Sequence, residues 1–138
     1  MVQLILDNPR HSQEFVSFKK TGYWTPILWR DKEEAWEEPF PGVHRRVLAN
    51  SQTATLGLFR FEGGAVVAKH AHPHAQYGVC LEGGGKFTIG DQIWEIKEGD
   101  SWYIPPSVSH EFRNGPKKPS VIIEVFTPQR EEYPPDVT

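Results

Sequence analysis

The sequence predicts an all-β chain folded as one sandwich or barrel, on three observations. With 138 residues it is long enough for one domain with a real core and cramped for two. Twelve glycines and twelve prolines are spread along it with no tract of either, so breakers recur between short apolar runs. Those runs make eight or nine candidate strands at spacings typical of a sandwich or barrel.

Taken in order, residues 1–41 read as an arm. They hold Trp24, Trp29 and Trp36, and the charged stretch DKEEAWEE, Asp31 to Glu38, which predicts one or two helical turns too short to stand alone. The arm either packs its tryptophans on the main domain or serves as a dimer contact or a pocket lid. Residues 42–128 carry the strands: His44–Ala49, Thr53–Phe61, Val66–His72 and Tyr77–Gly83, the last closed by Gly83-Gly84-Gly85. KFTIG and DQIWEI form a hairpin around Gly90-Asp91, the reverse of the usual Asp-Gly order. Ser101–Pro105, Ser109–Asn114 and Ser120–Phe126 complete the set. Residues 129–138 are polar and Pro-rich and predict a surface tail.

Composition narrows the function. Fifteen basic residues face eighteen acidic ones, a net charge of −3 with no basic block, which argues against nucleic acid as a partner. No apolar run reaches the roughly 18 residues of a membrane helix. The start, MVQLILDNPR, lacks the charged and long apolar regions of a secretion signal. The single cysteine, Cys80, has no intrachain partner, so the expected location is the cytoplasm.

The stretch KHAHPHAQYGVC places three of the six histidines within five residues. On a strand, residues two apart share a face, with Cα atoms roughly 6.5–7 Å apart. Two imidazoles at that spacing can converge on one ion, and His70 and His72 meet the condition. Pro73 bends the strand, which makes parity an unreliable guide to His74. Gln76 could swing back through its carbonyl oxygen, and His110, after the Pro105-Pro106 turn, is the remote candidate. An HxH pair alone is a weak metal signal.

Two longer patterns strengthen it. Gly64-x5-His70-x-His72-x3-Gln76-x6-Gly83 resembles the first signature of the cupin superfamily, and Gly99-x5-Pro105-x-Ser107-x2-His110-x3-Asn114 resembles the second. Gln76 stands at the signature's glutamate and Ser107 at a glycine. The resemblance implies a single cupin barrel, the double-stranded β-helix or jelly roll. It also implies one divalent transition metal (zinc, nickel, iron or manganese) held by His70, His72, Gln76 and His110. His74 is then a rim residue, or the substitute ligand if Gln76 falls short. Three neutral imidazoles and an amide leave a divalent ion its full +2, which favours Lewis-acid work over chemistry that needs a trivalent metal.

In SVIIEVFTPQR, Val121, Ile123 and Val125 share an apolar face expected to pack against protein. Glu124 then points to solvent or into the pocket. The segment EVFTPQREEY resembles the closing segment of a cupin subgroup that includes enzymes opening the ring of 4,5-unsaturated monouronates from pectin and alginate; PGVHRRVLAN and the HxHPHxQ run look alike too. That resemblance implies active-site roles for Glu124, Phe126 and Arg130, with glutamate where aspartate is usual. It points to an isomerase-type reaction on a carboxylate-bearing small molecule, and cupins of this size imply a homodimer. The competing readings are a metal-dependent cyclase of aromatic polyketides, a mononuclear iron dioxygenase, and a non-catalytic sugar- or effector-binding module.

Overall fold

The computed structural model describes residues 12–15, 26–31 and 35–132. Trp24, the MVQLILDNPR start and residues 133–138 of the tail lie outside them. Within the described residues the regular elements are strands. β1 (Ser12–Phe15) and β2 (Ile27–Arg30) form a two-stranded pair. β3 (Glu37–Phe40), β4 (Val43–Asn50), β5 (Thr55–Phe61), β7 (Ala75–Glu82), β10 (Ser101–Ile104) and β12 (Ser120–Thr127) make a six-stranded sheet in the order β10-β7-β12-β5-β4-β3. β6 (Val66–His70), β8 (Gly84–Ile89), β9 (Gln92–Lys97) and β11 (His110–Asn114) make a four-stranded sheet in the order β6-β11-β8-β9. Every strand pair among the described residues is antiparallel.

The period-two pattern explains the layers. In β12, Ser120, Ile122, Glu124 and Phe126 are buried, while Val121, Ile123, Val125 and Thr127 are half-buried. The inward face is therefore the one that carries Glu124, and the all-apolar set lies on the outer face. Between the sheets, Val43, Val47, Phe59, Phe61, Ile122 and Phe126 meet Phe87, Ile89, Ile96 and Phe112. Phe61 and Phe112 rings lie 4.8 Å apart across the layers, and Phe87 meets Phe112 edge-on at 5.3 Å.

Several local expectations change. Glu37 and Glu38 belong to strand β3 and not to a helical turn, because the segment gains a partner in β4; residues 32–34 of that stretch lie outside the described ones. β3 thereby joins a piece of the expected arm to the sheet edge. Trp36 sits under the guanidinium of Arg46 in β4, with Cζ 5.2 Å from its ring centre. β6 ends at His70, two residues short of His72, and β7 begins at Ala75. Pro73 restricts the residue before it and has no N–H to give to a ladder. Gly84 and Gly85 belong to β8 and are not turn residues. Of the two residues that join β8 to β9, only Gly90 takes a positive φ, 61°. Glycine at the first of two loop positions is the II′ pattern, which accounts for the Gly-Asp order.

Candidate metal centre

His70 closes β6 and His110 opens β11, and the two are register partners in the four-stranded sheet. His72 follows in the loop. The three rings converge, with centroids 4.4 Å (His70–His110), 4.9 Å (His72–His110) and 5.5 Å (His70–His72) apart. Their candidate ligand atoms all lie within 4.8 Å of one another.

The other ring nitrogen of each is spoken for. Nδ1–H of His70 donates to the Ala68 carbonyl (2.9 Å), that of His110 to the Val108 carbonyl (2.9 Å), and that of His72 to the His74 carbonyl (3.1 Å). A carbonyl can only accept, so each Nδ1 carries the proton and each Nε2 presents a lone pair. This is the tautomer a metal-ligating histidine needs.

Two observations test whether a cation fits. His110 Nε2 is buried and has no hydrogen-bond partner among the described residues. His72 Nε2 lies 3.0 Å from Gln76 Oε1. With the proton on Nδ1, these are two lone-pair atoms facing each other, an arrangement that a shared cation turns from repulsive to attractive. Burial, then the Arg130 charge, lowers the His72 pKa, which disfavours a second proton as that cation. Burial also pushes His110 down to about 4, with His70, His72 and Arg130 adding to the effect. Both rings are thus neutral near pH 7, as ligands must be. His70, His72 and His110 fit a divalent metal, with Gln76 placed as an oxygen donor.

His74 is not in this group. Its Nε2 faces the Gln129 carbonyl at 3.1 Å, which ties the start of the tail to the loop. Gln76 and Glu124 are both buried, and the Gln76 amide nitrogen donates to Glu124 Oε2 (2.5 Å). Trp102 Nε1–H donates to the same oxygen (3.2 Å). Glu124 therefore points inward. Burial raises its pKa to about 7 against the opposing pull of Gln76, Trp102 and Arg130.

A cavity of about 170 Å³ opens on these groups. Phe126 lies in its wall, 5.8 Å from the His72 ring, and Arg130 rests over Phe126 with Cζ 4.8 Å from the ring centre. The Arg130 backbone N–H donates to Thr55 Oγ1 (2.8 Å), and its Nε to Glu132 Oε2 (2.5 Å). The structure thus brings all seven sequence-derived candidates to one cavity. It adds Arg45 and, from β3, Pro39 and Phe40. Arg45 was legible: it shares strand parity with the buried Val43 and Val47. Phe40 was not, because nothing in EEPF announces a sheet edge. The motif's Asn114 is structural, since its Nδ2 donates to the carbonyls of Phe61, Glu62 and Lys118.

A family model described as a cupin domain matches residues 57–126, half of the chain. The chain belongs to the cupin family. Over 104 residues this cupin is 26% identical to the pectin degradation protein KdgF of Dickeya dadantii, covering 75% of the chain and 94% of that protein. The solved structure of KdgF from Halomonas sp. matches with a TM-score of 0.67 at 24% identity, covering 71% of this chain and 89% of that one, a likeness of fold. Over 63 residues the cupin is 32% identical to mannose-1-phosphate guanylyltransferase RfbM of Salmonella typhimurium; the match covers 46% of the chain but only 13% of that protein. The cupin thus resembles the KdgF subgroup along nearly the whole of its member. No helix among the described residues is long and apolar enough to cross a membrane.

Proposed function

We propose that this cupin is a metal-dependent isomerase that opens the ring of an unsaturated uronate or a closely related sugar acid. The observation that carries the reading is a buried carboxylate, Glu124, shifted to about 7, in the same cavity as three converging imidazoles. A group with a pKa near neutrality can both take and return a proton. The likeness to KdgF, named for pectin degradation and matched over 94% of its length, supports the substrate class.

His70, His72, Gln76 and His110 would hold the ion. A bound divalent ion supplies Lewis acidity toward the substrate's carboxylate and ring oxygens. The Arg130 guanidinium offers a fork that matches a carboxylate, exchanging Glu132 for the substrate. Phe126 and Phe59, with rings 6.3 Å apart, line the cavity and limit water. Two N–H donors already occupy Glu124 Oε2, so the mobile proton belongs on Oε1. With Oε1 unprotonated, Glu124 takes the hemiacetal hydroxyl proton as the ring C–O bond breaks and the ring oxygen leaves as an enolate, and it returns that proton to the enolate carbon, which leaves a ketone. We take the reaction to be cytoplasmic and the active form a homodimer of barrels spanning residues 42–128.

A cyclase of aromatic polyketides is the second reading, favoured by the phenylalanines in the wall. Two arginines, Arg45 and Arg130, line the same cavity and weigh for an anionic sugar. The deciding experiment is metal analysis of the purified protein, then a 4,5-unsaturated monouronate assay that follows the ultraviolet band of the double bond. Loss of the band with metal-loaded protein only, at a rate lowered roughly 10- to 100-fold in Arg130→Ala by loss of a charge-assisted hydrogen bond, is the expected result. An unchanged band with fully loaded protein rejects the uronate.

A further inference from the structure

We propose that Glu124 is also a positioning residue: with Trp102 it sets the Gln76 side chain so that the carbonyl oxygen, and not the amide nitrogen, faces the histidines. The inference rests on the reading of this cluster as a metal shell.

An amide has two nearly isosteric ends, and only one of them can donate a lone pair to an ion. A glutamate at position 76 would be symmetric in this respect; Gln76 is not. Something must choose its end. Gln76 is 4% exposed, so water does not. The choice is made behind it. Trp102 Nε1 can only donate, so Glu124 Oε2 is an acceptor there. The Gln76 group 2.5 Å from that same oxygen is then stable as N–H₂ and repelled as C=O. The opposite end, Oε1, is left 3.0 Å from His72 Nε2.

The backbone is shaped for this contact. Gly78, Trp102 and Glu124 are register partners on β7, β10 and β12, with Gly78 paired to both others. A Cβ on Gly78 would lie 2.4 Å from Trp102 Nε1 and 2.5 Å from Cε2. The missing side chain is what lets the indole lie across β7 and reach the carboxylate. The carboxyl group that a glutamate ligand would bring into the shell stands here one hydrogen bond behind it.

The test uses cobalt(II) added to metal-free protein, read by its visible absorption and by titrated affinity. Glu124→Leu and Trp102→Phe are expected to change the band shape and to weaken cobalt about 10- to 100-fold, the usual cost of losing a group behind a ligand. Glu124→Gln keeps an acceptor oxygen and should keep the parent band shape. Parent-like spectra and affinity in Glu124→Leu overturn the positioning role while leaving the metal reading intact. A parent that binds no cobalt overturns both.

Discussion

The two sheets contribute different halves of the site, and they secure them differently. The four-stranded sheet supplies His70 and His110. Each is fixed by a bond to a carbonyl two residues earlier in its own chain segment. The six-stranded sheet supplies Gln76 and Glu124, which are 48 residues apart and hold each other, with Trp102 as the third member. One half is locally self-orienting; the other exists only when β7, β10 and β12 are in register. His72, in the loop, touches both, through the His110 ring and through Gln76. The imidazole half should therefore tolerate remote change and fail only at the ligands themselves, while the amide–carboxylate half should be sensitive to anything that shifts strand register.

The largest expected effect breaks the imidazole half at its centre. His110→Ala removes the buried ring whose Nε2 has no other partner among the described residues. Metal content after purification should fall to background, and turnover with it. The fold should survive at reduced stability, since cutting a large buried side chain costs about 2–5 kcal/mol. Full metal occupancy in a folded His110→Ala protein would remove the site from this cavity.

A second comparison uses pH on the metal-free protein, where the halves pull in opposite directions. His110, ordinarily near 6.5, is held to about 4, so between those values the unfolded chain binds a proton that the native state refuses. Stability then rises with pH across about 4 to 6.5. Glu124, ordinarily near 4.5, is raised to about 7, so the native state keeps a proton that the unfolded chain has released. Its contribution falls as pH rises from about 4.5 to 7. Each slope is at most about 1.4 kcal/mol per pH unit. Chemical denaturation from pH 4 to 8 should show the two nearly cancelling in the parent. Glu124→Gln should unmask the rising limb and His110→Gln the falling one. A parent-like profile in Glu124→Gln would mean the carboxyl titrates as if it were solvated.

The same division explains what the sequence disclosed. The imidazole half was legible because its determinants are local: HxH spacing and the two glycine-framed signatures name His70, His72 and His110. Gln76 was named by the same frame. The inward turn of Glu124 was not, because strand parity in SVIIEVF left two faces open and the apolar one was the natural choice for the core. Parity is decided by the opposing four-stranded sheet, which covers the even face of β12. The Trp102–Glu124 bond was equally invisible, since it depends on Gly78 lying opposite Trp102 in a register that no local pattern prints. β6 ending at His70 was half-legible, with Pro73 as the signal. Arg45 shows the converse: it shares parity with Val43 and Val47, but nothing in PGVHRRVLAN set it apart from its neighbour Arg46, so it was not among the expected site residues.

The smallest expected effect probes the loop that joins the halves. Ser107 stands where the second signature has glycine, and it takes a left-handed backbone, φ 65°. Its N–H donates to the His72 carbonyl at 2.8 Å, so the strained residue helps hold the loop that carries a candidate ligand. A left-handed conformation costs an L-residue roughly 1–2 kcal/mol. Glycine would relieve that but lose about 0.5–1 kcal/mol to the greater freedom of its unfolded chain. Ser107→Gly should therefore stabilise the protein by between about 0 and about 1.5 kcal/mol. Because glycine keeps the N–H, cobalt affinity should match the parent. Weaker cobalt binding with unchanged stability would mean that the Ser107 side chain, and not only its backbone, bears on the position of His72.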